Sequence, residues 1–229
     1  MNTIQRNVTG QDASLALVKS FYYFVILPCA LILAAMTIIM FISSSLLFKF
    51  RPSDYVLIFA LYGVIIVPLS IRFYNVRTRR QRLEKMVAQL SRQDRFSPRS
   101  QHQILDAAKG KYLGVDTRHG TILYIHLLRE GVIDIIALTT ADWTNCQQEE
   151  SWLRIYTRQP DIPVLSIYTH QDIARRLFDT LSAMSSNSYS EPFPDEPWTE
   201  YVGHQSNFIE YQYNVTVPQA LKAQTTQTI

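Results

Sequence analysis

The sequence predicts an α+β chain: an N-terminal hairpin of two transmembrane helices, then a small cytoplasmic antiparallel β-sheet domain closed by a C-terminal helix. Three observations carry this. Two charge-free apolar runs occupy the first third of the 229 residues. A dense basic stretch follows the second run. The remainder alternates short β-branched and aromatic segments with turn signals before one amphipathic stretch. The expected divisions are an N-terminal cytoplasmic segment at 1–20, the hairpin at 21–74, a basic juxtamembrane helix and linker at 75–100, the β domain at 101–184, and an acidic, partly disordered tail at 185–229.

The hairpin rests on length. Phe21 to Phe48 holds 28 residues without a charge and Tyr55 to Ile71 another 17. As helices they reach roughly 42 Å and 26 Å, against a hydrocarbon core of about 30 Å. Pro28 is expected to kink the first helix, Ser43, Ser44 and Ser45 to mark its approach to the far interface, and Pro68 lies near the exit of the second. Aromatics gather at both ends: Phe21, Tyr22, Tyr23 and Phe24 with Phe73 and Tyr74, and Phe48, Phe50 and Tyr55. The connection carries Lys49 and Arg51 with Asp54, whereas six basic residues follow the second span and Arg6 and Lys19 precede the first. This bias orients both termini to the cytoplasm, so the chain reads as a multi-pass protein of a bacterial inner membrane. The first apolar run is too long for a secretory signal and lacks a small-residue cleavage site. The Asn-Val-Thr sequons at Asn7 and Asn214 then fall on the wrong side of the membrane and read as chance.

The net charge of +3 sums unlike parts. Arg77, Arg79, Arg80, Arg82 and Lys85 form the membrane-surface candidate, whose side chains meet anionic headgroups of the lipid bilayer for about 1 kcal/mol each. Nucleic acid is not an expected partner, because no helix-turn-helix or zinc-finger spacing accompanies the cluster. Val76, Leu83 and Leu90 form a short heptad seam of about two repeats, which leaves a homodimer open as a partner reading. The tail from Ser185 carries Glu191, Asp195, Glu196, Glu200 and Glu210 against Lys222 alone.

Residues 91–100, SRQDRFSPRS, lack apolar periodicity and read as the linker. Strands are expected at Tyr112 to Val115, Thr121 to Leu128, Val132 to Leu138, Trp152 to Thr157 and Val164 to Thr169. Turns at Asp116 to Gly120, Arg129 to Gly131 and Gln159 to Pro163 join them. Thr169 is expected to cap a helix with Asp172 at its third position, and Ile173, Leu177, Phe178, Leu181 and Met184 have core-facing spacing. This order of elements is that of a PH-like or GRAM-like module, an analogy that assigns no function. In the tail, Trp198, Tyr201, Phe208, Tyr211 and Tyr213 read equally as anchors packed on the domain or as partner contacts.

No motif carries chemistry. His102, His119, His126, His170 and His204 show no ligand spacing, Cys29 and Cys146 form neither a disulfide framework nor a metal pair, and Asp134 and Asp142 read as solvated rather than as an acid-base pair. Nucleophile-elbow and phosphate-loop patterns are absent. The expectation is a non-enzyme with no cofactor, no metal and no catalytic residue.

The N-terminal run TGQDASLALVKSFYYFVILPCALILAAM, the basic stretch and the opening KYLGVDTRHGTILYIHLL together resemble the IncI-type conjugative-plasmid exclusion proteins, the ExcA-like family, up to about Met184. The resemblance implies an inner-membrane protein encoded by a conjugative plasmid. It further implies entry exclusion in the recipient cell, through recognition of a donor transfer component, a TraY-like membrane protein. From the residues alone, a membrane-tethered PH-like adaptor that binds lipid headgroups or a cytoplasmic protein stands beside it.

Overall fold

The computed structural model describes residues 20, 22–43, 52–129 and 131–220. The chain divides into two compact units, Met1–Asn75 and Val76–Ile229.

In the first unit a π-helical turn, Tyr22–Ile26, runs into helix α1, Leu27–Ser43, and helix α2 begins at Pro52 and continues to Leu90. The two helices pair as an antiparallel hairpin, with Ala30 and Ala34 of α1 buried together with Ile65 of α2. Pro28 falls in the first turn of α1, directly after the π turn. A proline ring clashes with the carbonyl four residues back, and a widened turn there relieves the clash, so the irregularity expected at Pro28 takes this form. Pro68 lies inside α2 and has no N–H to offer the carbonyl of Val64. The Tyr22 hydroxyl donates to that carbonyl at 2.7 Å, which replaces the lost bond from the neighbouring helix. Among the described residues, Tyr22–Ile39 and Ile58–Leu90 are long and apolar enough to cross a bilayer, which allows membrane association. The expectations for Arg6, Lys19, Phe21, Ser44, Ser45, Phe48, Lys49, Phe50 and Arg51 lie outside the described residues.

The second unit is built on two antiparallel sheets. Strands β1 (Gln103–Asp106), β2 (Lys111–Asp116), β3 (Thr121–Arg129) and β4 (Val132–Thr139) form one in sequence order, and β5 (Trp143–Glu149), β6 (Trp152–Thr157) and β7 (Val164–Tyr168) form the other. Alternation divides the core. Ile122, Tyr124, Ile136 and Leu138 of the first sheet meet Leu153, Ile155, Leu165 and Ile167 of the second, closed by Leu177, Leu181 and Met184 of helix α3, Gln171–Ser185. Leu123, Ile125, Ile133, Ile135 and Ala137 point the other way, against Leu83, Met86 and Leu90 from the end of α2 and against Trp198, Val202 and Ile209 of helix α4, Trp198–Tyr213.

This second core redraws the expected boundaries. Helix α2 runs through Leu90, where the juxtamembrane helix was expected, but residues 91–100 are not a loose linker: mutual bonds between Arg92 and Phe96 close a turn, and Phe96 is fully buried against Trp198 with ring centroids 5.2 Å apart. The described part of the expected tail is likewise folded, since α4 covers a whole sheet face. Its aromatics divide: Trp198 and Tyr201 are core, whereas Phe208 and Tyr211 are exposed. The polar end at 221–229 lies outside the described residues. Helix α3 starts one residue late, with His170 rather than Thr169 at the N-cap and no side-chain cap bond, although Asp172 does fall in the first turn. Strands β1 and β5 were not expected; β1 is only four residues long, and β5 buries Trp143 and Cys146 with mostly polar residues between them.

Candidate functional site

The basic stretch occupies the outer faces of α2. Leu83, Met86 and Leu90, spaced three and four apart, take the inner face and are fully buried, which leaves Arg77, Arg79, Arg80, Arg82 and Lys85 exposed. Arg80 Nε meets Glu84 Oε1 at 2.8 Å, an exposed i,i+4 pair of small energetic weight. Arg79 Nη1 donates to the Ala108 carbonyl at 3.2 Å and so ties the β1–β2 turn to the helix. Two of the three heptad positions, Leu83 and Leu90, are buried in the chain's own core.

The turn after α2 holds a buried cation. Arg95, 6% exposed, donates from Nη1 to the Glu196 carbonyl at 2.6 Å and from Nη2 to Glu196 Oε2 at 2.9 Å. Its guanidinium lies 4.3 Å from the Phe193 ring centroid and 4.7 Å from that of Tyr201. Stacking and a charged hydrogen-bond fork together offset the desolvation of the cation. Arg95 thereby latches the turn after α2 to the start of α4. Its place in a polar stretch with no apolar pattern hid this role in the sequence.

The polar residues weighed for chemistry hold turns together. Asp116 accepts from Ser97 N–H, Arg118 N–H and His119 Nδ1, each at 2.8 Å. Burial disfavours its charge, but the bonds from His119, Ser97 and Arg118 outweigh it and hold the carboxyl below its ordinary value. Asp142 is half-buried and caps Thr139 through bonds of 2.7 Å to N–H and Oγ1, whereas Asp134 is buried and accepts from Gln219 Nε2 at 3.2 Å, so Asp134 is not the solvated carboxylate expected. His170 lies 3.3 Å from Asp172 at the head of α3. Burial pushes the Cys146 thiol up, against a weaker bond to Ser182, whereas Cys29 is exposed on α1. Among the described residues no three His, Cys, Asp or Glu side chains gather as a metal site.

A cleft of about 360 Å³ lies along the outer edge of β4, between the first turns of α4 and the 159–162 loop. Ile135, Ala137, Ile162 and Val202 supply apolar walls, and Asp161 and Glu200 supply carboxylates. Sequence reasoning missed it, because its walls come from three segments far apart in the chain.

The sequence model of the exclusion-determining protein family matches residues 2–221. The chain belongs to this family. The match takes in the apolar helices, the basic stretch, both sheets and α4. No curated protein and no solved structure matches the chain.

Proposed function

We propose that this exclusion-determining protein acts at the inner membrane of a plasmid-bearing recipient and blocks redundant conjugative transfer by binding a donor transfer component. The observation that carries the reading is the family match across residues 2–221. In this reading the hairpin crosses the bilayer. Support comes from its outward-facing apolar surface, for example Phe24 at 83% exposure, Ile42 at 71% and Phe59 at 76%, which a water-soluble protein would bury. Both termini are cytoplasmic, and Arg77, Arg79, Arg80, Arg82 and Lys85 meet anionic headgroups where the chain leaves the membrane. The second unit is a PH-like recognition module, a reading supported by its four-stranded and three-stranded sheets and the helix that follows β7. It works by binding and not by catalysis. The IncI-type, ExcA-like subtype, and with it a TraY-like partner, follow from the sequence resemblance.

Mating tests this directly. Expressed in a plasmid-free recipient, the protein should lower the transfer frequency of one plasmid group by at least about tenfold and leave unrelated plasmids unaffected. Equal transfer of all plasmids would leave a lipid or cytoplasmic adaptor as the better reading. Alkaline phosphatase fused after Gln93 should be inactive, and activity there would reverse the assigned orientation.

A further inference from the structure

The outer edge of β4 is closed piece by piece by the chain itself, with one gap. The Ile133 N–H donates to the Thr216 carbonyl at 3.0 Å, and the Thr216 N–H returns to Gly131 at 2.6 Å, so residues around 216 act as a short fifth strand. One step along, the Ile135 N–H donates to Gln219 Oε1 at 3.2 Å, a side-chain amide standing in for a strand. At the far end the Thr139 N–H is taken by Asp142 Oδ2 at 2.7 Å. Outward N–H groups recur every second residue, and the β3–β4 register is regular from Ile133 to Thr139, so the Ala137 N–H points to the same edge. It has no partner among the described residues, and Ala137 lies on the floor of the cleft.

We propose that this cleft is a strand-addition site that accepts an extended, basic segment of a partner polypeptide. The open N–H of Ala137 and the outward carbonyl of Ile135 ask for an acceptor and a donor at strand spacing, which an extended peptide backbone supplies. Natural edge strands are normally covered, and on β4 the cover stops where the cleft opens. The walls choose the side chains. Ile162 and Val202 take apolar residues, and Glu200 selects Lys or Arg, since no basic residue is among the described residues that line the cleft. Gln219 is a placeholder: an incoming strand that displaces its amide gains the Ile135 N–H and lengthens the pairing by one step.

The proposal deepens the exclusion reading and rests on it only for the identity of the partner's role. The probe is a fluorescent, end-capped Val-Arg-Val-Arg-Val peptide, titrated against the full chain in nonionic detergent and read by polarisation. Saturable binding is expected, weakened at least tenfold by Ala137→Pro, which removes the outward N–H without touching the β3 ladder, and at least tenfold by Glu200→Lys. The Glu-containing counterpart should not bind. Absence of saturable binding, or binding unchanged in both variants, would overturn the site. So would Arg-peptide binding only after truncation at Ala220, which would show residues 221–229 to be the occupant. Concentration-dependent dimerisation abolished by Glu200→Lys would overturn it in favour of a second copy. In mating, a Glu200→Lys protein that excludes normally beside a functional wild type refutes the cleft's role alone. A wild type that excludes nothing refutes the exclusion reading, while the peptide titration still decides the cleft.

Discussion

Single residues in this protein do their work mostly as substitutes for missing backbone bonds. Tyr22 serves the carbonyl that Pro68 frees, Gln219 serves an N–H of the β4 edge, and Asp116 gathers two N–H groups at the β2–β3 turn. Gly120 at the end of that turn has φ +70, and a Cβ there would lie 2.5 Å from the Tyr189 ring, so the turn admits no side chain. Asp116 allows a pH prediction. Its folded carboxyl is held below the ordinary value of about 4, so its stabilisation is fully present above that value and is lost as pH falls through the folded value. Asp116→Asn should cost about 1 to 3 kcal/mol at pH 7, and the gap to wild type should hold constant down to about pH 5 and narrow only below about pH 4. Tryptophan fluorescence during denaturant unfolding reads this cleanly, because Trp143, Trp152 and Trp198 all belong to the second unit.

At the scale of elements, the two outer helices decide whether the sheet is stable. The expected 101–184 domain would leave Leu123, Ile125, Ile133 and Ile135 bare on one face, having lost Leu83, Met86, Leu90, Trp198, Val202 and Ile209. Each large apolar side chain contributes about 1.5 to 3 kcal/mol on burial, and a domain has only about 5 to 15 kcal/mol in total. A 101–184 fragment should therefore show no cooperative unfolding transition, whereas 76–220 should unfold in one step; equal cooperativity of both would contradict the shared core. The reason this was hidden in the sequence is physical. The five expected strands show as β-branched and aromatic runs between turn signals, although β2 and β4 are buried on both faces, and α3 shows by its single buried stripe. Helix α4 follows Pro192, Pro194 and Pro197 and begins among acidic residues, so composition mimics disorder while Trp198, Tyr201, Val202 and Ile209 mark the buried stripe. At the end of α2 the dense charges of the outer faces mask the inner stripe of Leu83, Met86 and Leu90. The cleft was illegible altogether, since its open N–H exists only once residue 216 and Gln219 have taken their places beside β4.

For the whole molecule, the question is whether the folded domain excludes by itself or must be held at the membrane. Its two compact units separate these possibilities experimentally, because a change inside Met1–Asn75 leaves the two cores of the second unit untouched. Gly63 is suited to this. It lies near the middle of the shorter charge-free run, and a Cβ there meets nothing within 4 Å, so a large side chain projects outward without disturbing the hairpin's packing. In water such a change is nearly neutral. In a bilayer an Arg near a helix centre costs about 2.5 to 3.5 kcal/mol on translocon scales, and a run of 17 residues has little apolar surplus to offset it. Gly63→Arg should therefore deplete the protein from the membrane fraction and raise plasmid transfer into the recipient toward the unprotected level. Denaturant unfolding followed by tryptophan fluorescence should keep the wild-type midpoint, which attributes the loss to anchoring rather than to misfolding. A variant that leaves the membrane yet excludes at the normal level would show that recognition needs only the second unit and that the hairpin serves another purpose.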